Sequence, residues 1–287
     1  MIHVHLKEPL KQKDWGWPAI ANFSLGSTGA GLYLVNFFLI FLKTDSDFFN
    51  QRISFGFIPL LLIIFGFLCL SIETGRPLRS FYLFGRPSQS WISLETMAGC
   101  MFIAAAICDY FFPHPILKLI TIMSALAFLI SQGLIVFRAR AIIAWNMPII
   151  PIVFVSSGLA SGYGLFVMLV AADTIGPDKT TLLLGLILLL FNMVIWLIYL
   201  RQAAVNDFTI ETKGLRQPFF LTITIGFGQI FPLFLLLFLL LPKHTIGLVP
   251  LSLSITLCGI LLLIGNISQK VGIIFSAGYF RGIELKG

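Results

Sequence analysis

The sequence predicts an all-α, polytopic membrane protein with eight transmembrane helices in two parallel four-helix halves, and three observations carry that expectation. Charged residues make up only 11% of the 287, against roughly 25% in an average soluble domain. Hydrophobic residues reach 58%, and the mean hydropathy is +0.98. Eight apolar runs each approach the ~20 residues that a helix needs to cross a bilayer. A soluble core of this size cannot hide so much apolar surface and still show water a polar face, so lipid is the solvent for these helices.

Taken in order, the first seventeen residues are a polar tail with Lys7, Lys11 and Lys13, and no signal-peptide core stands among them. Spans follow at 18–42, 53–72, 91–112, 116–137, 151–173, 181–200, 218–241 and 247–267. Only Pro113, His114 and Pro115 separate the third and fourth, and two prolines there favour a sharp turn over one long helix. Pro232 predicts a kink in the seventh span. The resulting division is a cytoplasmic tail at 1–17, a first half at 18–137, a second half at 138–267 and a C-terminal tail at 268–287. A faint repeat motivates the halves. At an offset of 133, Pro18, Ser24, Gly29, Gly31 and Leu32 match Pro151, Ser157, Gly162, Gly164 and Leu165. Small residues one turn apart, such as Gly26 and Ala30 or Ser27 and Gly31, also serve close helix packing, which needs no duplication.

Orientation follows from the basic residues. Fourteen of the 19 Lys and Arg fall on the side of the N-terminus, which places both termini in the cytoplasm. The net charge of +7 is thus explained by loops that set topology, and nucleic acid is not implied as a partner. Cys69, Cys100, Cys108 and Cys258 lie in apolar stretches with no C-x-x-C pair, so they read as buried thiols rather than cluster or zinc ligands. His3 and His5 are in the tail, and His114 and His244 are in loops, so no span offers haem an axial ligand. There is no H-E-x-x-H, G-x-S-x-G or P-loop. A metal redox centre must therefore belong to a partner, or the substrate must be an organic carrier. Of the polar residues in other spans, Asp109 is expected to be solvated at the outer interface. Gln132, Asn192 and Gln229 are expected to bond helix to helix.

Ionisable groups at the edge of lipid are costly and often functional. The densest cluster is ETGRPLRSFYLFGRPSQSWISLE, from Glu73 to Glu95. Glu73 ends the second span, Arg76 and Arg79 follow, and Glu95 lies one turn into the third, behind Trp91. Asn22 sits one turn into the first span at a similar depth. An amide, two carboxylates and an arginine thus converge beneath the cytoplasmic headgroups. That arrangement suits a quinol, whose oxidation releases two protons as well as two electrons and so requires a base at the ring hydroxyls. In this reading Glu73 and Glu95 handle protons, Asn22 and Trp91 hold the head group, and Arg76 tunes Glu73. The alternative is an interfacial Glu73–Arg76 pair and a helix-bridging hydrogen bond at Glu95. All five tryptophans (Trp15, Trp17, Trp91, Trp145 and Trp196) fall on the basic side. Either this is imbalance in a small sample, or Trp15, Trp17, Trp145, Arg79 and Arg86 form a docking surface, since Trp and Arg favour interface cores.

The segments WGWPAIANFSLGSTGAG, ETGRPLRSFYLFGRP with SWISLETMAG, and RARAIIAWNMPIIPIVFVSSGLASG resemble the NrfD/PsrC family, and look closer to the membrane anchor subunits of dimethyl sulfoxide reductase-type molybdopterin oxidoreductases. The resemblance covers the whole length. It implies a prokaryotic cytoplasmic-membrane subunit that binds menaquinone or ubiquinone and carries no metal cofactor. Such a subunit docks a four-cluster iron–sulfur protein, which serves a molybdopterin catalytic subunit. The family's quinone-site positions fall on Asn22, Glu73 and Glu95. The sequence departs from the pattern at Glu73, where relatives carry Asp or His. It departs again at Asn266 and Lys270, where many relatives carry Glu and then Arg. Some relatives hold partner and quinone on the outer face, whereas the charge bias here places both inside. A secondary transporter or ion-translocating module with parallel repeats is the competing class, and a site on broken helices at the midplane would mark it. A purely structural anchor is the third.

Overall fold

The computed structural model describes residues 3–6, 10–43, 56–73, 90–171, 177–205, 212–241, 251–280 and 283–286. Among these, eight apolar helices follow the expected runs. They are α1 (Trp17–Lys43), α2 (Ile58–Glu73), α3 (Trp91–Phe111), α4 (Pro115–Arg138), α5 (Ile150–Ala171), α6 (Lys179–Val205), α7 (Pro218–Leu239) and α8 (Leu251–Ser276). Seven are long and apolar enough to cross a membrane, and α2 is the shorter one. The break between α3 and α4 forms as the prolines require. His114 caps α4, its Nδ1 accepting from the Ile116 amide at 3.2 Å, and Pro115 opens the helix, where a missing N–H costs nothing.

The tails pair with each other. Strand β1 (His3–Leu6) runs antiparallel to β4 (Ile283–Lys286), with His3 opposite Lys286. Strand β2 (Leu10–Lys11) pairs with β3 (Tyr279–Phe280), and Phe280 also bridges to Ile142 between α4 and α5. Both termini therefore lie on one face, with the ribbons beneath the helix ends.

Helices α1 and α5 form the centre. Helix α1 packs on α2, α4, α5 and α8, while α5 packs on α1, α4, α6 and α8. The backbones touch at their crossing. A Cβ on Gly31 would sit 2.1 Å from the Gly158 carbonyl oxygen, and one on Gly162 would sit 2.2 Å from the Gly31 carbonyl carbon. Only glycine fits there. Beside the crossing, the Thr28 hydroxyl donates to Ser161 Oγ at 3.0 Å.

Several positions differ from the expectation. Helix α8 does not end at 267 but continues to Ser276, its last turns forming a π segment from Gly272 to Ser276. Lys270, assigned to the tail, is therefore inside a helix. Helix α6 runs to Val205, which leaves Trp196 buried in the interior rather than at an interface. Asp109 is buried instead of solvated, and its Oδ1 accepts from the His114 amide at 3.2 Å. In α7 a π segment, Thr222–Ile230, stands immediately before Pro232, so the irregularity there spans more than two turns.

Candidate functional site

Three helices bring polar side chains to one level near the face that carries the termini. Glu95 lies about 6 Å along α3 from Trp91, and Asn22 about 7.5 Å along α1 from Trp17, at 1.5 Å per residue. Gln132 lies about 9 Å before the end of α4 on the same measure. Each helix contributes one group because each enters or leaves the membrane on this face.

The three side chains meet. Asn22 Nδ2 donates to Glu95 Oε1 at 2.9 Å, and Gln132 Nε2 donates to the same oxygen at 3.0 Å. The Gln132 amide also lies 3.4 Å from the Asn22 carbonyl oxygen, tying α4 to α1. Glu95 is 1% exposed, and both amides are fully buried. A buried carboxylate needs donors, and here two amides serve a single oxygen. Asn22 Oδ1 and Gln132 Oε1 have no hydrogen-bond partner among the described residues. Asn22 Oδ1 faces α2 where that helix has Gly66, whose added Cβ would come within 3.0 Å of it.

Beside this cluster lies a cavity of about 230 Å³, lined by Trp15, Ala19, Asn22, Phe23, Ile92 and Glu95 among others. At about 30 Å³ per water this is room for roughly eight waters, the size of a one- or two-ring head group rather than of a chain with its tail. Leu70 lines it from α2, and Asp14, exposed in the tail, lines it from the aqueous side. The cavity therefore runs from a buried carboxylate to a solvated one. A neutral, flat molecule with carbonyl or hydroxyl groups on opposite edges matches such a wall. One end has a base and the Asn22 amide, and the flanks are apolar.

Of the residues singled out in the sequence, Asn22 and Glu95 come into direct contact. Glu73 is the last residue of α2, three positions after Leu70, and its side chain lies outside the described residues. Arg76, Arg79 and Arg86 also lie outside them. Trp91 is not on the cavity wall. Ile92 takes that place, and the Trp91 ring instead lies 5.9 Å from the Arg138 guanidinium, a cation–π distance. Trp15 lines the cavity, with its ring 5.0 Å from that of Trp145.

Trp145 cannot be a docking residue. It is 2% exposed, and its Nε1 donates to the Ile273 carbonyl at 2.7 Å, so it locks the α4–α5 connection to the end of α8. Trp17, 63% exposed and edge-on to Phe275 at 4.8 Å, does offer a surface. Gln132 was expected only to join helices. Its depth, within about one turn of that of Glu95 on the neighbouring helix, was the signal that it joins the site. Asp14, one of two acids in a polar tail with Glu8, gave no such signal.

A comparison with curated proteins finds no match. The sequence model of the DMSO reductase anchor subunit (DmsC) family matches residues 13–271, which takes in the whole helical bundle up to Val271. The chain belongs to the DMSO reductase anchor subunit (DmsC) family, the multi-pass membrane anchors of DMSO reductase-type molybdopterin oxidoreductase complexes.

Proposed function

We propose that this anchor is the quinone-reactive subunit of its complex, exchanging electrons between menaquinone or ubiquinone and a four-cluster iron–sulfur partner that serves the molybdopterin catalytic subunit. One observation carries the reading. A buried carboxylate, held by two amides at a single oxygen, forms the wall of a cavity whose other end reaches a solvated acid.

A quinol supplies two electrons and two protons when it is oxidised, and the protons need a base within hydrogen-bond reach. Glu95 is that base. With Oε1 taken by Asn22 and Gln132, the second carboxylate oxygen is the one left to receive a ring proton. Asn22 Oδ1, otherwise without a partner among the described residues, accepts from the ring hydroxyl. Asp14 passes the proton to water at the mouth. Phe23 and Ile92 hold the ring flanks, and the isoprenoid tail lies outside, in lipid. Glu73 and Arg76 are proposed as the second acid and the arginine that tunes it.

The partner docks on the face of the tail ribbons, with exposed Trp17 as one anchor, and Trp15, Arg79 and Arg86 are proposed to take part in the docking. The excess of Lys and Arg on that face supports a cytoplasmic location in a prokaryotic inner membrane. The two-half organisation is part of the same reading. Thr28 and Ser161, 133 residues apart, are bonded to each other, and equivalent residues meet in this way on a two-fold axis.

Filling the cavity tests the proposal. In the purified complex, a soluble naphthoquinone should quench tryptophan fluorescence through Trp15, and Ala19→Phe should abolish the quench by occupying the ring's place. Quenching that survives Ala19→Phe unchanged would remove the cavity from consideration.

A further inference from the structure

The cavity beside Glu95 has room for a ring system but not for a long side chain, and its lining shows where such a chain leaves. Ala19, Asn22, Phe23, Glu95 and Ile135 are buried, so the walls on α1 and α4 are closed. Asp14 opens the cavity to water, where a hydrocarbon chain gains nothing by going. Trp15, half-buried, follows Asp14 in the chain and belongs to the same mouth. Two apolar lining residues remain that also reach the surface. They are Leu70, half-buried on α2, and Ile92, 39% exposed on α3.

Helices α2 and α3 form a loose seam, because α2 packs on α1 and only slightly on α3. On α3, Ile92, Glu95 and Gly99 follow at spacings of three and four residues and so share one face. Phe67 and Leu70, three apart, do the same on α2. At Phe67 the seam is closed. Its ring fits against Gly99, where an added Cβ would sit 2.3 Å from Phe67 Cζ, and it meets the Phe128 ring of α4 edge-on at 5.8 Å. Ile92 lies about 10 Å from Gly99 along α3, toward the face of the termini, at 1.5 Å per residue. There the seam holds the cavity instead of a side chain. Glu95 therefore lies between a plug and a slot. Beside the slot, α2 shows lipid its exposed Leu68 and Ile72.

We propose that the slot between Leu70 and Ile92 is a lateral portal: an isoprenoid quinone enters through it from the bilayer, and its tail stays there while the ring lies against Glu95. This rests on the quinone reading and adds the route to it. The ligand is taken from the membrane rather than from water, and the aqueous mouth at Asp14 is left to protons. Phe67 sets the depth. Its ring on Gly99 bars the chain from running toward the centre of the bundle and turns it outward between α2 and α3. Leu70 and Ile92 hold the first isoprene unit.

The test uses the wild-type complex and a naphthoquinone whose first isoprene unit carries a diazirine. After irradiation, label should fall on the α2 peptide around Leu68–Ile72 and on the α3 peptide around Ile92–Cys100. It should be lost when unlabelled tailed naphthoquinone is present in excess. Competed label confined to other helices, or no competed label at all, would overturn the portal. A tailless naphthoquinone separates that failure from failure of the quinone reading. If it quenches Trp15 while the label falls elsewhere, the site stands and the portal does not. If it neither quenches nor competes, the quinone reading fails and the portal goes with it. Leu70→Trp gives a second readout in the complexes that assemble. By narrowing the slot, it should raise KM several-fold more for a tailed quinol than for a tailless one. An equal change for both would overturn the portal as well.

Discussion

The two halves of the bundle each bury a cluster of amides, and the clusters differ in how their hydrogen bonds close. In the second half Ser156 Oγ donates to Asn192 Oδ1 at 3.0 Å, Asn192 Nδ2 to Asn266 Oδ1 at 2.8 Å, and Asn266 Nδ2 to the Leu262 carbonyl at 2.7 Å. Every donor in this chain has an acceptor and the chain ends on backbone, although Gln229 and Gln269, also buried in the second half, have no side-chain partner among the described residues. In the first half two donors converge on one carboxylate oxygen, both amide oxygens stay without partners among the described residues, and the Asn22 amide lines a cavity. The closed chain is what helix association in lipid calls for. The open one leaves hydrogen-bonding capacity unspent in a place where leaving it so is costly, which is what a site that takes a polar ligand must do.

That contrast breaks first at Glu95. Glu95→Gln keeps an oxygen to accept from Asn22 and Gln132 but removes the base. General-base catalysis contributes roughly 100- to 10,000-fold, so quinol oxidation by the intact complex should fall by at least ~100-fold with normal assembly. A variant retaining half its rate would move the proton chemistry to another carboxylate, with Glu73 the first candidate. The next largest effect is on folding rather than chemistry. Trp145→Ala empties a fully enclosed site and frees the Ile273 carbonyl, and large-to-small changes of this kind cost about 3–5 kcal/mol. It should lower the melting temperature of the complex sharply, whereas Trp17→Ala, at an exposed ring, should leave stability alone and weaken partner binding.

The helices were legible because lipid tolerates no unpaired backbone and few charges, so each span announces itself as an apolar run. The prolines at 113 and 115 ended one helix and began the next as their chemistry requires. Asn22 and Glu95 were legible as a pair through depth alone, since both sit one turn inside the same face. Depth could not show the rest. The tail ribbons join residues at opposite ends of the chain, such as His3 and Lys286, through strands of two to four residues that have no alternating pattern to read. Lys270 interrupted an apolar run and so appeared to end it. What lets a lysine stay inside is a carbonyl and a hydroxyl on α1, almost 250 residues away in the chain, and no local signal carries that. Trp145 misled for a related reason, because a tryptophan near basic residues looks interfacial until its indole finds a buried carbonyl.

Gln132 separates bonding from chemistry within the site itself. Gln132→Leu removes one of the two donors on Glu95 Oε1 and the link to the Asn22 carbonyl but leaves the carboxylate. Loss of one hydrogen bond to a charged group is worth about 1.5–3 kcal/mol, so the rate should drop by roughly 10- to 150-fold. The measurement is quinol oxidation across pH. The maximum should be recovered in part at higher pH, where a less supported carboxylate is again ionised. A uniform loss at every pH would instead mean that Gln132 only holds α4 in place.

The smallest effect is the sharpest comparison. Asn192 is fully buried and bonded on both sides, as Gln132 is bonded to Glu95, so on burial alone the two positions look alike. They differ in what the bonds serve. Asn192→Leu deletes a link in a closed neutral chain, and interhelical hydrogen bonds in membranes average about 0.6 kcal/mol and reach about 1.7 kcal/mol. The complex should therefore melt slightly lower while turnover per assembled complex stays at the wild-type value over the whole pH range. If Asn192→Leu instead shifts the pH profile as Gln132→Leu does, protons or charge reach the second half, and the closed chain of Ser156, Asn192 and Asn266 belongs to the working machinery rather than to the scaffold around it.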